Sequence, residues 1–185
     1  TIRGQKLGIV KEIEVAANAG YQGIEPWVEA IEKYQKEGGS LPDLKRRIAD
    51  LGLIVPSAIG FPQWIVDDDV KRAQGLERAK LEMDPVAQIG GKRVAAPPAG
   101  ATDLPRLDLA KATERYRALL HAGDSIGVVP QLELWGFSKN LNRLGECAGV
   151  AMETGHPKAC VVADIYHLYR GGSDFAGLRL LSGNA

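Results

Sequence analysis

The alternation of hydrophobic and polar residues divides the chain into helical and extended segments. Apolar residues at three- and four-residue spacing predict helices over residues 6–18, 28–35, 41–51, 70–89, 109–125, 141–154 and 175–182. Short apolar runs between them predict strands centred near Ile24, Val55, Val94, Leu132 and Val162. Pro85 predicts a kink or break in the fourth helix, and Gly183 and Asn184 predict the end of the last one.

The order of these segments is strand and helix in strict alternation, which predicts an α/β fold with a parallel sheet. Such a sheet is either an open, doubly wound sheet or a closed parallel (β/α)8 barrel. Polar groups end several consecutive predicted strands, whereas an open sheet concentrates its site at one switch point. The pattern therefore favours the barrel. Neither GxGxxG nor GxxxxGK[ST] occurs, so the nucleotide-binding open sheets lose support.

The stretch from Ala159 to Gly172 places a carboxylate at the end of an apolar strand. Side chains alternate along a strand, so Val162 and Asp164 share a face, and His167 follows three residues later. A carboxylate in that position needs a hydrogen bond, an ion pair or a metal, and ligands collect at the carboxyl ends of strands in α/β proteins. The competing interpretation is an Asp that caps a helix or pins a loop, with His167 as an ordinary loop residue.

Two more strands end on acidic residues. Alternation directs Leu132 and Leu134 to covering helices and Glu133 to the opposite face, and Glu25 ends the strand near Ile24. The long loop over residues 60–69 is a candidate binding loop. Its Trp64 either stacks on a substrate or folds onto the core as part of a lid.

Composition narrows the range of partners. Lysine plus arginine equals aspartate plus glutamate at 23 each, so no overall field attracts nucleic acid or an anionic membrane. No apolar run is long enough to span a bilayer, and no signal-peptide pattern opens the chain, so we expect a soluble, cytoplasmic protein. Cys147 and Cys160 lack CxxC spacing and read as structural thiols.

Three motifs carry a family resemblance. GIEPW, LELWG and ADIYH, in this order and spacing, resemble the xylose isomerase-like TIM barrel superfamily of sugar and sugar-phosphate isomerases and epimerases. The resemblance implies that Glu133 and Asp164 bind a divalent metal ion (Mn, Mg, Co or Zn). It also implies that His167 contacts substrate, or binds metal as in the relatives that act on DNA, and that Glu25 belongs to the same site.

The activity implied by this resemblance is isomerisation or epimerisation of a sugar or sugar phosphate by proton transfer next to a carbonyl. The metal polarises the sugar oxygens, and a carboxylate, for which Glu133 is the candidate, removes the carbon-bound proton. Trp64, Trp135 and Tyr166 are candidates for an apolar wall along the sugar.

Three alternatives stay open. A polyol dehydratase of the inosose type shares the metal frame. An apurinic-site endonuclease uses histidines at two further strand ends, which here read PSAIGFP and VAAPPAG without histidine. A non-catalytic sugar-binding barrel would use Glu133 and Asp164 only to pin loops.

The resemblance also implies that the sequence represents only some of the eight barrel strands. The family pattern places a metal-binding His on strand seven and a catalytic Glu on strand eight, and the sequence ends where strand seven is expected. Residues 1–4 read as the loop after a first strand. We therefore expect a single domain over residues 1–185 that holds strands two to six of the barrel. We also expect the intact protein to be longer than these residues, and a homo-oligomer stays open.

Overall fold

The fold alternates helices and parallel strands, as the sequence predicts. A computed structural model describes residues 3–182 of the chain. The helices are α1 (Ile9–Asn18), α2 (Val28–Lys36), α3 (Leu41–Asp50), α4 (Asp69–Gln88), α5 (Leu109–Asp124), α6 (Leu144–Glu153) and α7 (Ile165–Gly171). The strands are β1 (Arg93–Ala96), β2 (Val129–Glu133) and β3 (Val161–Val162), and short 3-10 helices cover Arg3–Gln5 and Phe175–Leu180.

The sheet is parallel, and its strands pair in chain order. β1 pairs with β2, with Val94 opposite Pro130, and β2 pairs with β3, with Glu133 opposite Val162. Two upstream segments, residues 23–27 and 54–59, extend the same order through parallel bridges that reach Ala95 of β1. The predicted order of five consecutive parallel segments is therefore confirmed, and it forms an arc of the barrel.

The first two segments differ from the prediction in how they pair. They are held by isolated bridges rather than by continuous strands, with backbone bonds such as Ile24 N–H to the Ile54 carbonyl at 3.0 Å. Pro26 and Pro56 lie within these segments, and a proline has no N–H to donate to a ladder. Pairing is therefore interrupted at both positions while the direction of the chain is kept.

The two faces of the sheet have different environments. Leu132 and Leu134 are fully buried in the core beneath the helices, whereas Gln131 and Glu133 are partly exposed on the opposite face. This arrangement confirms the alternation predicted for β2. The face that carries Glu133 is the inner face of the arc.

Several local predictions need correction. α4 continues through Pro85, so the predicted break is wrong, while the predicted kink stays a prediction. The carbonyl that loses its donor there belongs to Leu81, a residue that is 64% exposed. Residues 165–171, to which the sequence assigned no element, form α7, because Asp164 caps the helix and Gly172 ends it in the left-handed conformation. Residues 175–180 form a 3-10 helix rather than an α-helix.

Other predictions concern cysteines, membranes and the chain ends. Cys147 and Cys160 are buried free thiols. Within residues 3–182, no helix combines the length and the hydrophobicity needed to cross a bilayer. Half of the predicted opening loop (residues 1–2) and the predicted stop at Gly183 and Asn184 lie outside the described residues.

A tyrosine of α5 connects two neighbouring strands at their amino ends. The Tyr116 ring is fully buried, and its hydroxyl lies 2.9 Å from the carbonyl oxygen of Pro130 and 3.0 Å from that of Cys160. The Cys160 N–H donates to the same hydroxyl at 3.3 Å. Burial raises the pKa of this phenol, so it remains a neutral donor and acceptor. Tyr116 therefore fixes where β3 begins relative to β2.

Replacing Tyr116 with Phe tests this connection. We expect Tyr116→Phe to lower the free energy of unfolding by about 1–2 kcal/mol, because buried backbone groups lose a partner without gaining water. Urea denaturation measures the difference. Tyr169→Phe removes the same hydroxyl from a residue that is 76% exposed and is the matched control, with an expected effect below about 0.5 kcal/mol. Equal effects of the two substitutions would contradict the role given to Tyr116.

Candidate active site

Three acidic residues lie at the carboxyl ends of neighbouring segments of the sheet. Glu133 is the last residue of β2, and Asp164 follows its partner Val162 by two residues, on the same face. Glu25 precedes Trp27, which bridges to the next segment at Ile59. The barrel topology thus brings together acidic residues that are far apart in sequence.

The Glu133 carboxyl has the most perturbed ionisation of this group. Burial, reinforced by the negative charges of Asp164 and Glu25, raises the pKa of Glu133 from 4.5 to about 7. One interaction opposes this shift, since the indole N–H of Trp135 donates to Glu133 Oε2 at 3.2 Å. Asp164 and Glu25 are therefore close enough to Glu133 for their charges to act on its carboxyl group.

Asp164 caps the helix that follows it. Its Oδ1 accepts a hydrogen bond from the His167 backbone N–H at 2.9 Å and so satisfies one of the free donors at the start of α7. The capping interpretation is confirmed, and metal binding by Asp164 stays a prediction. Cap and ligand are compatible roles, because a carboxylate has a second oxygen and further lone pairs.

His167 has an imidazole nitrogen without a partner. Its Nδ1 is buried and makes no hydrogen bond. Burial lowers the pKa of His167, and the charge of Asp164 opposes that shift. A neutral imidazole with a free nitrogen beside carboxylates is suited to receive a polar group of a substrate or a metal ion.

These groups do not by themselves form a compact metal cage. Among the described residues, three possible ligand atoms of His, Cys, Asp or Glu lie within 4.8 Å of one another only at His121, Asp124 and His156, which lie elsewhere. The acidic residues at the carboxyl ends are spread more widely than the 4.8 Å of that cluster.

Aromatic rings follow the carboxyl ends of the segments in a continuous row. Neighbouring ring centroids along it are 5.0 to 5.7 Å apart, the range of favourable ring pairs. This aromatic row consists, in order, of Trp27, Phe61, Trp135, Phe137, His167 and Tyr166. Trp135 contacts Glu133 through its N–H and joins the carboxylates to the row.

The prediction that Trp64 contacts substrate is wrong. Its side chain has no exposed surface, its indole N–H donates to the Pro97 carbonyl at 2.8 Å, and its ring packs against Tyr116. Trp64 therefore belongs to the core, which was the competing interpretation. The same loop contributes Phe61 to the aromatic row instead.

Sequence reasoning missed three rings of the row. Trp27 is the last residue of the motif GIEPW, Phe137 directly follows the motif LELWG, and Phe61 lies in the loop identified as a binding loop, so their positions gave a usable signal. The volumes of the cavities do not point to the position of the carboxylates. A groove of about 780 Å³ between α4 and α5, lined by residues such as Leu76 and His121, lies away from the carboxylates.

Close backbone contact holds α7 beside the end of β2. A Cβ on Gly136 would overlap the backbone of α7 at His167 and Gly171, and a Cβ on Gly171 would overlap the Asn142 carbonyl. Only glycine allows this approach on either side. The contact fixes the position of His167 relative to Trp135 and Glu133.

Substituting Gly136 tests this contact. We expect Gly136→Ala to destabilise the protein by about 1–3 kcal/mol through overpacking, and to change the environment of His167 in NMR spectra of its imidazole protons. Gly145→Ala is the control, since Gly145 lies in α6 with open space around it and the change should leave stability equal or up to about 1 kcal/mol higher. An unchanged His167 signal in Gly136→Ala would refute the positioning role.

Comparison with solved structures identifies the same fold. The chain superposes with a TM-score of 0.82 on the IolI protein with a bound zinc atom, at 18% identity over 96% of this chain and 65% of that one. A probable 3-DHS dehydratase, AsbF, of Bacillus anthracis gives 0.79, at 16% identity over 97% and 67%. D-psicose 3-epimerase, determined in the presence of D-fructose, gives 0.77, at 19% identity over 91% and 62%.

Sequence identity and coverage show what these similarities establish. Identities of 16–19% show a shared fold, and the chain spans 62–67% of the length of these three proteins. Sugar epimerases recur among the solved structures with this fold. No curated protein matches the sequence. The sequence matches a family model over residues 13–183, and the chain therefore belongs to the xylose isomerase-like TIM barrel family.

Proposed function

We propose that the protein is a metal-dependent isomerase or epimerase that acts on a sugar or sugar phosphate. The reaction is proton transfer at the carbon next to a carbonyl. The chain spans about two thirds of the length of its solved relatives, so this activity is proposed for the whole protein. A cytoplasmic location, a homo-oligomeric state and the absence of nucleic-acid or membrane partners stay predictions from the sequence.

The observation that carries the proposal is the environment of Glu133. Its pKa of about 7 lies near neutral pH, where a carboxyl group is most effective as a general acid or base. The two causes of this pKa are burial and the negative charge of Asp164 and Glu25. A structural carboxylate that only pins a loop would instead be paired with a cation or with several N–H donors, and its pKa would be low.

The donor set at the carboxyl ends fits a divalent cation. A cation near Glu133 and Asp164 would offset the repulsion that raises the pKa of Glu133, and the unpartnered Nδ1 of His167 supplies an adjacent nitrogen. Glu133 and Asp164 would hold the ion, and His167 would face the substrate or complete the ligand set. A bound Mg, Mn, Co or Zn ion supplies Lewis-acid polarisation of the sugar's carbonyl and hydroxyl oxygens.

The chain's own residues account for orientation and for one proton transfer. The Trp135 indole holds Glu133 Oε2 by a hydrogen bond, which leaves Oε1 to take the proton from the sugar carbon. The aromatic row offers flat apolar surface to the C–H face of a sugar ring or chain and excludes water beside the carboxylate. Return of the proton needs a second acid, which the family resemblance places on the eighth strand.

Two substitutions of Asp164 separate its proposed charge role from its cap. Asparagine caps a helix as well as aspartate does, so Asp164→Asn should keep the wild-type stability, whereas Asp164→Ala should lose about 1 kcal/mol. Both variants should lose Mn²⁺ binding, measured by electron paramagnetic resonance. Both should also lose deuterium incorporation from D₂O into D-fructose next to its carbonyl, measured by NMR with the whole protein and Mn²⁺.

The outcome distinguishes the alternatives. Wild-type Mn²⁺ binding and wild-type exchange in Asp164→Asn would contradict the proposal. Exchange accompanied by loss of water from the sugar or from a polyol would favour the dehydratase. Absence of exchange with every ketose and ketose phosphate tested, despite Mn²⁺ binding, would refute the isomerase and epimerase assignment.

A further inference from the structure

A second cluster of metal-binding side chains lies at the opposite end of the sheet. His121 and Asp124 occupy the last turn of α5, just before β2, and His156 lies in the loop before β3. This amino-end cluster, consisting of these three residues, is therefore separated by the length of the strands from Glu133 and Asp164. The proposed activity does not use it.

The distances within the amino-end cluster match the spacing of ligands around a small cation. His156 Nε2 lies 2.9 Å and His121 Nδ1 lies 3.8 Å from Asp124 Oδ2. Each of the three residues offers one ligand atom within 4.8 Å of those of the other two. Ligands bonded at about 2.0–2.2 Å in a tetrahedral zinc site are roughly 3.4 Å apart. Reaching that spacing requires the exposed His121 side chain to move closer to Asp124 and the hydrogen-bonded pair of His156 and Asp124 to open by about 0.5 Å.

Two of the three ligands are already held in place. The His156 side chain is only 6% exposed, and its backbone N–H donates to Thr154 Oγ1 at 3.1 Å. Lys158 Nζ contacts Asp124 Oδ1 at 2.6 Å, which orients the carboxylate and leaves Oδ2 directed to the histidines. Hydrogen bonds from Lys158 and then His156 lower the pKa of Asp124, so this carboxylate is ionised at neutral pH.

We propose that His121 Nδ1, Asp124 Oδ2 and His156 Nε2 form a zinc site with a fourth position open to water or another exchangeable ligand. Two imidazoles and one carboxylate are a donor set that suits Zn²⁺ and not Mg²⁺ or Ca²⁺. The site links α5 to the loop before β3. Bound zinc therefore stabilises the folded chain by mass action.

Two neighbouring groups limit the affinity. Coordination through Nε2 requires the His156 proton to move to Nδ1, which ends the hydrogen bond that the Lys158 N–H donates to Nδ1 at 3.2 Å. The Lys158 ammonium also repels a cation at Asp124. The site is consequently a reversible one that responds to the zinc concentration rather than a permanent structural centre.

Calorimetric titration with zinc chloride tests this site in a background that lacks the carboxylates of the candidate active site. In the whole protein carrying Glu133→Gln and Asp164→Asn, we expect one zinc ion per chain and a rise in melting temperature on binding. Adding His121→Ala, at a position whose side chain is 64% exposed, should weaken binding by roughly tenfold or more. Lys158→Met should strengthen it by up to about fivefold, since an exposed charge contact is removed.

A control variant at a third histidine shows whether zinc binding is specific to the amino-end cluster. His167→Ala in the same background removes the one histidine of residues 1–185 that lies outside the amino-end cluster, and it should leave zinc binding unchanged. Zinc binding that persists in His121→Ala, or that is lost in His167→Ala, would overturn the proposal. So would the absence of zinc binding in the double-variant background. These results are independent of sugar chemistry, so they leave the proposed isomerase activity to its own test.

Discussion

The candidate site depends on one constraint, which is that parallel pairing places acidic groups together at the carboxyl ends of neighbouring segments. Parallel pairing in chain order brings Glu25, Glu133 and Asp164 to one edge of the sheet, and burial there raises the pKa of Glu133 to about 7. Keeping acidic groups in this arrangement opposes folding, because charge is drawn from water without a cation to balance it. Such an arrangement is typical of a site that binds a positive ion or handles a proton.

The surroundings of this edge are fixed by packing rather than by further charges. Gly136 lets the loop after β2 touch α7, Asp164 caps α7, and the aromatic row continues from Trp135 to His167. Each contact helps to set the position of a side chain at this edge of the sheet. The same carboxylate of Asp164 therefore serves the helix and the site, which links the stability of α7 to the proposed chemistry.

The sequence predicted what periodicity controls and missed what loop packing controls. Alternation placed Leu132 in the core and Glu133 on the inner face correctly, because a buried strand allows one register. It could not choose between Trp64 and Phe61, since a loop has no period to show which ring turns inward. The cluster of His121 and His156 was also missed, because residues 35 positions apart meet only through the folded α5 and the loop before β3.

The ionisation of Glu133 tests the central claim most directly. Carbon-13 NMR titration of its side-chain carboxyl, in the whole protein without metal, should give a pKa of about 7. Asp164→Asn should lower that pKa, because it removes one of the two negative charges that raise it, and saturating Mg²⁺ should lower the pKa of Glu133 in the unsubstituted protein. A Glu133 carboxyl that titrates near its ordinary value of 4.5, unaffected by Asp164→Asn and by Mg²⁺, would contradict the account.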